Sequence, residues 1–136
     1  MRRIGRLVLI ALVIAVVILG LGYAWGSSGR YTMQSALDDA RQWLDVAEAR
    51  GEILDARVSL YNMNFGDASR RLEDAKAPLR RTRQRYADDD KTDAARSIAA
   101  ALEHLDEAQR LAGKLDQAAN SKAGEALEAI KVATAK

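Results

Sequence analysis

"LDDARQWLDVAEARGEILDARVSLYNMNF", residues 37–65, decides the fold class. Leu37, Ala40, Leu44, Ala47, Gly51, Leu54, Val58, Tyr61 and Phe65 recur at alternating steps of three and four, the spacing of one face of an α-helix. A neighbouring row carries Trp43, Val46, Ile53 and Leu60. Two adjacent rows make an apolar face broader than the seam of a two-stranded coiled coil, so the spacing predicts packing inside a helical bundle. Arg41, Asp45, Glu48, Glu52 and Arg57 fall largely on the remaining surface. With one Pro in the chain and 5% aromatic residues, the composition also suits helices and disfavours strands.

Downstream of this stretch the pattern breaks at "NMNFGDAS", where Asn64 and Gly66 suit a left-handed turn and Asp67 suits a helix cap. A second helix then reads Ala68, Leu72, Ala75, Leu79 and Tyr86, with Pro78 inside it removing one backbone donor. Arg80, Arg81, Arg83 and Arg85 mark its end and "DDDKTD" the start of the next, charges that complement the two helix dipoles. A third helix starts near Thr92 and packs through Ile98, Leu102, Leu105, Ala108, Ala112 and Leu115. "AANSKAGEA" offers a further break, with Asn120 or Ser121 as caps, before a short fourth helix carrying Leu127 and Ile130. Short connections force neighbouring helices antiparallel. The expected architecture is all-α: an amino-terminal transmembrane helix, then an up-and-down bundle of three long helices plus a short fourth. Many core positions are Ala, which permits close helix approach but buries little area, so a protein partner or a homo-oligomer is expected to add stability.

Upstream, "RRIGRLVLIALVIAVVILGLGYAWGSSGR" begins at Arg2. Every residue from Leu7 to Leu19 is apolar, and the run continues to Trp25. As a helix, residues 7–25 would span about 28 Å, close to the hydrocarbon thickness of a bilayer. Leu7, Leu12, Val16 and Leu19 would lie in the lipid, with Tyr23 and Trp25 at the interfacial belt and Arg2, Arg3 and Arg6 on the cytoplasmic side. A cleaved secretory signal is the competing reading, with Ala24-Trp25-Gly26 as its cleavage pattern. Bulky Trp25 and the long apolar extension favour the uncleaved anchor. Either way Ser27–Lys136 is sent to the same side. The expected organisation is a basic flank at 1–6, a signal-anchor helix at 7–25, an exit linker at 26–31 and an extracytoplasmic helical domain at 32–136. This places a single-pass protein in the cytoplasmic (inner) membrane of a bacterial cell, its bulk periplasmic or extracellular.

Charge and chemistry narrow the function classes. The net charge is +2, yet setting aside Arg2, Arg3 and Arg6 leaves 18 basic against 19 acidic residues, so no overall pull towards nucleic acid is expected. Without Cys there is no disulfide framework and no thiolate metal site. His104 is the only histidine, and the residue three before it is Ala101 rather than the Glu that a bundle di-iron site requires. No phosphate-cradling loop, nucleophile elbow or zinc spacing occurs. The expectation is therefore no enzyme, no catalytic residues, no metal and no cofactor.

An internal echo joins "GDASRRLEDA" from Gly66, "TDAARSIAAA" from Thr92 and "GEALEAIKVA" from Gly124. In each, Ala, a large aliphatic residue and Ala recur: Ala68, Leu72, Ala75; Ala94, Ile98, Ala101; Ala126, Ile130, Ala133. This spacing resembles the second helix of a tetratricopeptide repeat, although the starts are not 34 residues apart and the first-helix Trp, Gly and Tyr pattern is out of register. The resemblance implies a helical-hairpin interaction surface.

These features point to a membrane-anchored helical scaffold, adaptor or regulatory subunit of a cell-envelope assembly. The candidate interaction residues are Trp43, Leu44, Leu54, Tyr61 and Phe65 on the first helix, with Arg80, Arg81, Arg83 and Arg85 for docking on an acidic partner or lipid headgroups. The alternative is an extracytoplasmic module whose bundle interior takes an apolar or lipid-like small molecule.

Overall fold

A computed structural model of the chain describes residues 33–135. The anchor segment, its basic flank and the linker expected at 1–31 lie outside the described residues. The chain divides into two compact units after Ala40. Of the first, residues 33–40 are described; they are helical and exposed. The second is all-α.

Four helices are described: α1 at residues 33–61, α2 at Phe65–Asp88, α3 at Thr92–Ala112 and α4 at Ala118–Thr134. Side-chain pairings fix their directions. From α1 to α2, Ser59 meets Asp67, Asp55 meets Arg71 and Asp45 meets Arg81, so one helix descends as the other climbs. The same inverse register joins α2 to α3 through Lys76–Asp106 and the Gln109 amide on the Ser69 carbonyl. His104–Glu125 joins α3 to α4, and Arg57–Asn120 brings α4 beside α1. Neighbours are antiparallel, as three short connections require.

All four helices line one core. Val46, Ala49, Ile53 and Ala56 of α1 meet Leu72, Ala75 and Leu79 of α2, Ile98, Ala101 and Leu105 of α3, and Ala123, Ala126 and Ile130 of α4. Leu60, Phe65, Ala68, Ala112 and Ala119 close a second cluster at the end carrying the α1–α2 and α3–α4 turns. The echoed Ala–large–Ala positions are core positions, with Ala94 half-buried and the other eight buried. At 17 residues α4 is a full member of the bundle rather than a short appendage.

The turns differ from the sequence expectation in instructive ways. Between α1 and α2 the left-handed residue is Met63, at φ 60°, rather than Asn64 or Gly66. Asn64 is the cap instead, its side-chain oxygen accepting from the Asp67 amide at 3.2 Å. Phe65 consequently opens α2 instead of ending α1. Leu115, expected in the core of α3, stands in the next turn with φ 58° and is exposed. The fourth helix starts before its expected caps. Asp116 Oδ1 accepts from the Ala118 amide at 2.9 Å, which lets Ala119 begin the buried row and leaves Asn120 inside the helix. Short polar side chains take whichever free amide the packing of the next apolar residue presents.

Candidate functional site

The first helix has two apolar faces, and the bundle uses one. At 100° per residue, Val46, Ala49, Ile53, Ala56 and Leu60 form one strip, and all are buried. The opposite strip carries Leu44, Ala47, Gly51, Leu54, Val58 and Tyr61, and all are exposed. Tyr61 is 81% exposed, Leu44 69% and Trp43, at the margin of the strip, 58%. The expectation that Leu54 lies in the core is therefore corrected: Leu54 is half exposed and its neighbour Ile53 is fully buried. The reason is geometric. The broad apolar surface read from the sequence wraps most of the way round the helix, and two flanking helices cover only one side of it. Val46, Ile53 and Leu60, placed in a secondary row by sequence, are the row that packs.

Of the interaction candidates, the structure brings Trp43, Leu44, Leu54 and Tyr61 to the surface of α1. Phe65 is separated from them, buried at the start of α2. An open depression with a volume of about 300 Å³ interrupts the outer strip, lined by Leu54, Arg57, Val58 and Tyr61 of α1 and by Asn120 of α4. Within its lining, Arg57 Nε donates to Asn120 Oδ1 at 2.7 Å. It lies on the outside of the bundle.

The arginine run does not act as a unit. Arg81 grips the Asp45 carboxylate from two nitrogens, Nε at 3.0 Å and Nη2 at 2.6 Å, and Arg85 Nη1 reaches the other oxygen at 2.5 Å. Asp45 is buried on α1, and burial pushes its carboxyl pKa up. The bonds and charges of Arg81 and Arg85 outweigh that and hold it below the ordinary value. Arg80 and Arg83 point away and are exposed. Half of the cluster proposed for docking is thus a clamp between helices. Sequence reasoning put Asp45 on the solvent side. The available signal was that Asp45 is the residue beside Val46 on the strip that alternates with the one chosen.

Two further polar knots tie helices together, and neither was foreseen. At the α1–α2 turn, Asp67 accepts from Ser59 Oγ at 2.6 Å and Arg71 Nε at 2.9 Å, and also pairs with Arg70. The Ser59 hydroxyl first, then Arg71, hold the Asp67 carboxyl down at about 2. Between α2 and α3, the buried ammonium of Lys76 meets Glu73 at 2.8 Å, Asp106 at 2.7 Å and Gln109 Oε1 at 2.5 Å. Burial disfavours its charge, yet the bonds to Asp106 and Glu73 prevail and raise its pKa.

The Asp67 knot predicts an acid sensitivity of definite sign. A carboxyl ordinarily near 3.8 but held at about 2 adds stability above its ordinary value; that contribution fades as pH falls from there and is gone below about 2. Asp67→Asn should lower the thermal midpoint near neutral pH. The gap between variant and wild type should close as pH approaches about 2, and midpoints compared across a pH series would check it.

His104 is half-buried, its Nδ1 3.2 Å from Glu125 Oε2, a link between α3 and α4. Among the described residues no three His, Cys, Asp or Glu side chains gather to hold a metal ion, and no helix is long and apolar enough to cross a membrane. No protein-family model matches the chain, and no curated protein or solved structure matches it.

Proposed function

We propose that the chain is a single-pass membrane protein whose helical domain serves as a scaffold, adaptor or regulatory subunit of a cell-envelope assembly, engaging its partner through the outer strip of α1. The observation that carries this reading is the opposite-faced apolar character of that helix. Val46, Ile53 and Leu60 are spent on the bundle core, whereas Leu44, Leu54, Val58 and Tyr61 stand in water. Isolated apolar residues on a surface need no explanation, but a contiguous row along one helix face is the form that helix-in-groove and helix-on-helix contacts take. The depression at Leu54–Tyr61 gives that row a shaped edge, with the Arg57–Asn120 pair supplying polar groups in its lining. Support for the membrane tether comes from the apolar run 7–25 between the arginines at positions 2, 3 and 6 and the Tyr23–Trp25 belt.

The full-length protein is expected to stay with membranes through an alkaline wash, with protease added from outside digesting Ser27–Lys136. A mature chain beginning after Gly26 that washes off would end the anchored reading. Pull-down from solubilised membranes tests the adaptor role. A protein should co-purify with wild type and be lost from Leu54→Glu, whereas a bound small molecule in the native mass spectrum would favour the ligand-binding alternative.

A further inference from the structure

The outer strip of α1 keeps a seven-residue period, as the buried strip does, and the residues beside it carry charges in a pattern. Leu44, Gly51 and Val58 are seven apart, and so are Ala47, Leu54 and Tyr61, the two sets being offset by three. These are the a and d positions of consecutive heptads, and the register continues upstream in sequence through Leu37 and Ala40. A seven-residue repeat suits a two-stranded seam, and on this strip all six of its residues from Leu44 to Tyr61 are exposed. The flanks are of opposite character. One carries Trp43, Arg50 and Arg57 at the g positions, and the other carries Arg41, Glu48 and Asp55 at the e positions.

We propose that the outer face of α1 binds a second copy of this chain, forming a parallel, in-register two-stranded coiled coil. This names the occupant of the face described above and rests on the membrane-anchored reading. In the parallel arrangement each g position meets the partner's e position of the following heptad, so Arg50 of each copy faces Asp55 of the other. Asp55 is able to accept it: its carboxylate is 63% exposed while holding Arg71 at 3.1 Å. Trp43 faces Glu48, and the position matching Arg57 is uncharged Asn62 in the turn beyond α1, so no like charges meet. Centred on the same residues, the antiparallel arrangement sets Arg50 against Arg50 and Glu48 against Glu48. The membrane-anchored reading adds that both copies would share one bilayer and one topology, which brings identical faces together. The centre of the seam has room for a knob, since a Cβ added at Gly51 would meet nothing within 4 Å.

The chain contains no cysteine, so single cysteines report the seam without background. Full-length Leu44→Cys and Leu54→Cys, oxidised in native membranes, are expected to form disulfide-linked dimers several-fold more than Ala77→Cys, an exposed position on α2. The Leu44 position decides direction. Parallel copies bring the two residues into contact, whereas antiparallel copies centred near Arg50 hold them roughly 20 Å apart, beyond disulfide reach. Adding Leu54→Glu to Leu44→Cys should reduce the cross-link to the Ala77→Cys level with helicity retained, because Leu54 is half exposed in the folded domain. Yields at Leu44 and Leu54 no higher than at Ala77 would overturn the proposal. If a different protein is then lost from Leu54→Glu in pull-down, the face has another occupant and the adaptor reading stands. Cross-linked dimers with no co-purifying protein would sustain the pairing and remove the adaptor reading.

Discussion

Ile53→Asp is expected to unfold the helical domain, while Leu54→Asp, one residue along the same helix, leaves it folded. Ile53 is fully buried among residues of all four helices, and a carboxylate there has no partner to offset the loss of its hydration. The cost is about 4 kcal/mol or more, comparable with the whole stability of a small Ala-rich bundle. Leu54 projects from the opposite strip, half exposed, and Asp at that position loses partial apolar contact and some helix propensity, about 1 kcal/mol together. Circular dichroism of both variants during heating, at a dilution where copies do not associate, provides the comparison. Equal midpoints would show that α1 packs through a different face. Row length alone suggests the reverse ranking, since Leu54 belongs to the longer of the two rows. Both rows alternate by three and four once Ala49 and Ala56 are counted, so spacing alone does not say which of them packs. Within this bundle the packing row is the one interrupted by Ala49 and Ala56, small enough to let neighbouring helices approach.

Arg81→Met with Arg85→Met should cost about 2 kcal/mol, and Arg80→Met with Arg83→Met less than about 0.5 kcal/mol. Both double variants remove two positive charges from the same turn and a half of α2, so a helix-dipole origin would make them alike. They differ in what they leave behind. Without Arg81 and Arg85, the Asp45 carboxylate stays buried on α1 with its hydrogen bonds gone, and burial then drives its pKa up instead of being overridden. The expected loss is set below that of a fully enclosed pair because the Arg81 side chain is half exposed and screened. Urea midpoints near neutral pH measure the difference. The gap between the two double variants should shrink on acidification, when Asp45 is neutralised even in the variant that keeps Arg81 and Arg85. Equal stabilities would mean that the Asp45 clamp contributes nothing to holding α1 against α2. Replacing all four arginines at once would mix loss of fold with loss of docking, and Arg80 and Arg83 alone are the pair that probes an external contact.

Several features were legible before any tertiary contact was known, each for a local reason. Helix identity followed from apolar spacing and from a composition that no strand would favour. The core of α2 at Ala68, Leu72, Ala75, Leu79 and Tyr86 was read correctly, because a single amphipathic strip leaves one choice of face. The same holds for Ile98, Leu102, Leu105 and Ala108 of α3. Turn positions were right to within a few residues, but the roles inside them were not. Asn64, Met63, Asp116 and Leu115 compete for the same caps and left-handed sites at differences of about 1 kcal/mol, and packing of the adjoining Phe65 and Ala119 decides among them.

The sequence by itself determined that the described residues are Ala-rich and all-α, with four helices joined by short connections, and that the chain has no thiol and no histidine cluster for chemistry. Periodicity and composition are one-dimensional properties, and these conclusions need nothing more. Tertiary structure alone decided which side of α1 faces inward, because an apolar surface wider than the groove offered to it satisfies the helical period in either orientation. It also decided that Arg81 and Arg85 belong to Asp45, and that Lys76 belongs to Asp106 and Gln109. Those partners lie thirty or more residues away in the chain. Ion pairs at that separation form only after the helices have docked, and no local pattern of charge anticipates which cation a buried carboxylate will meet.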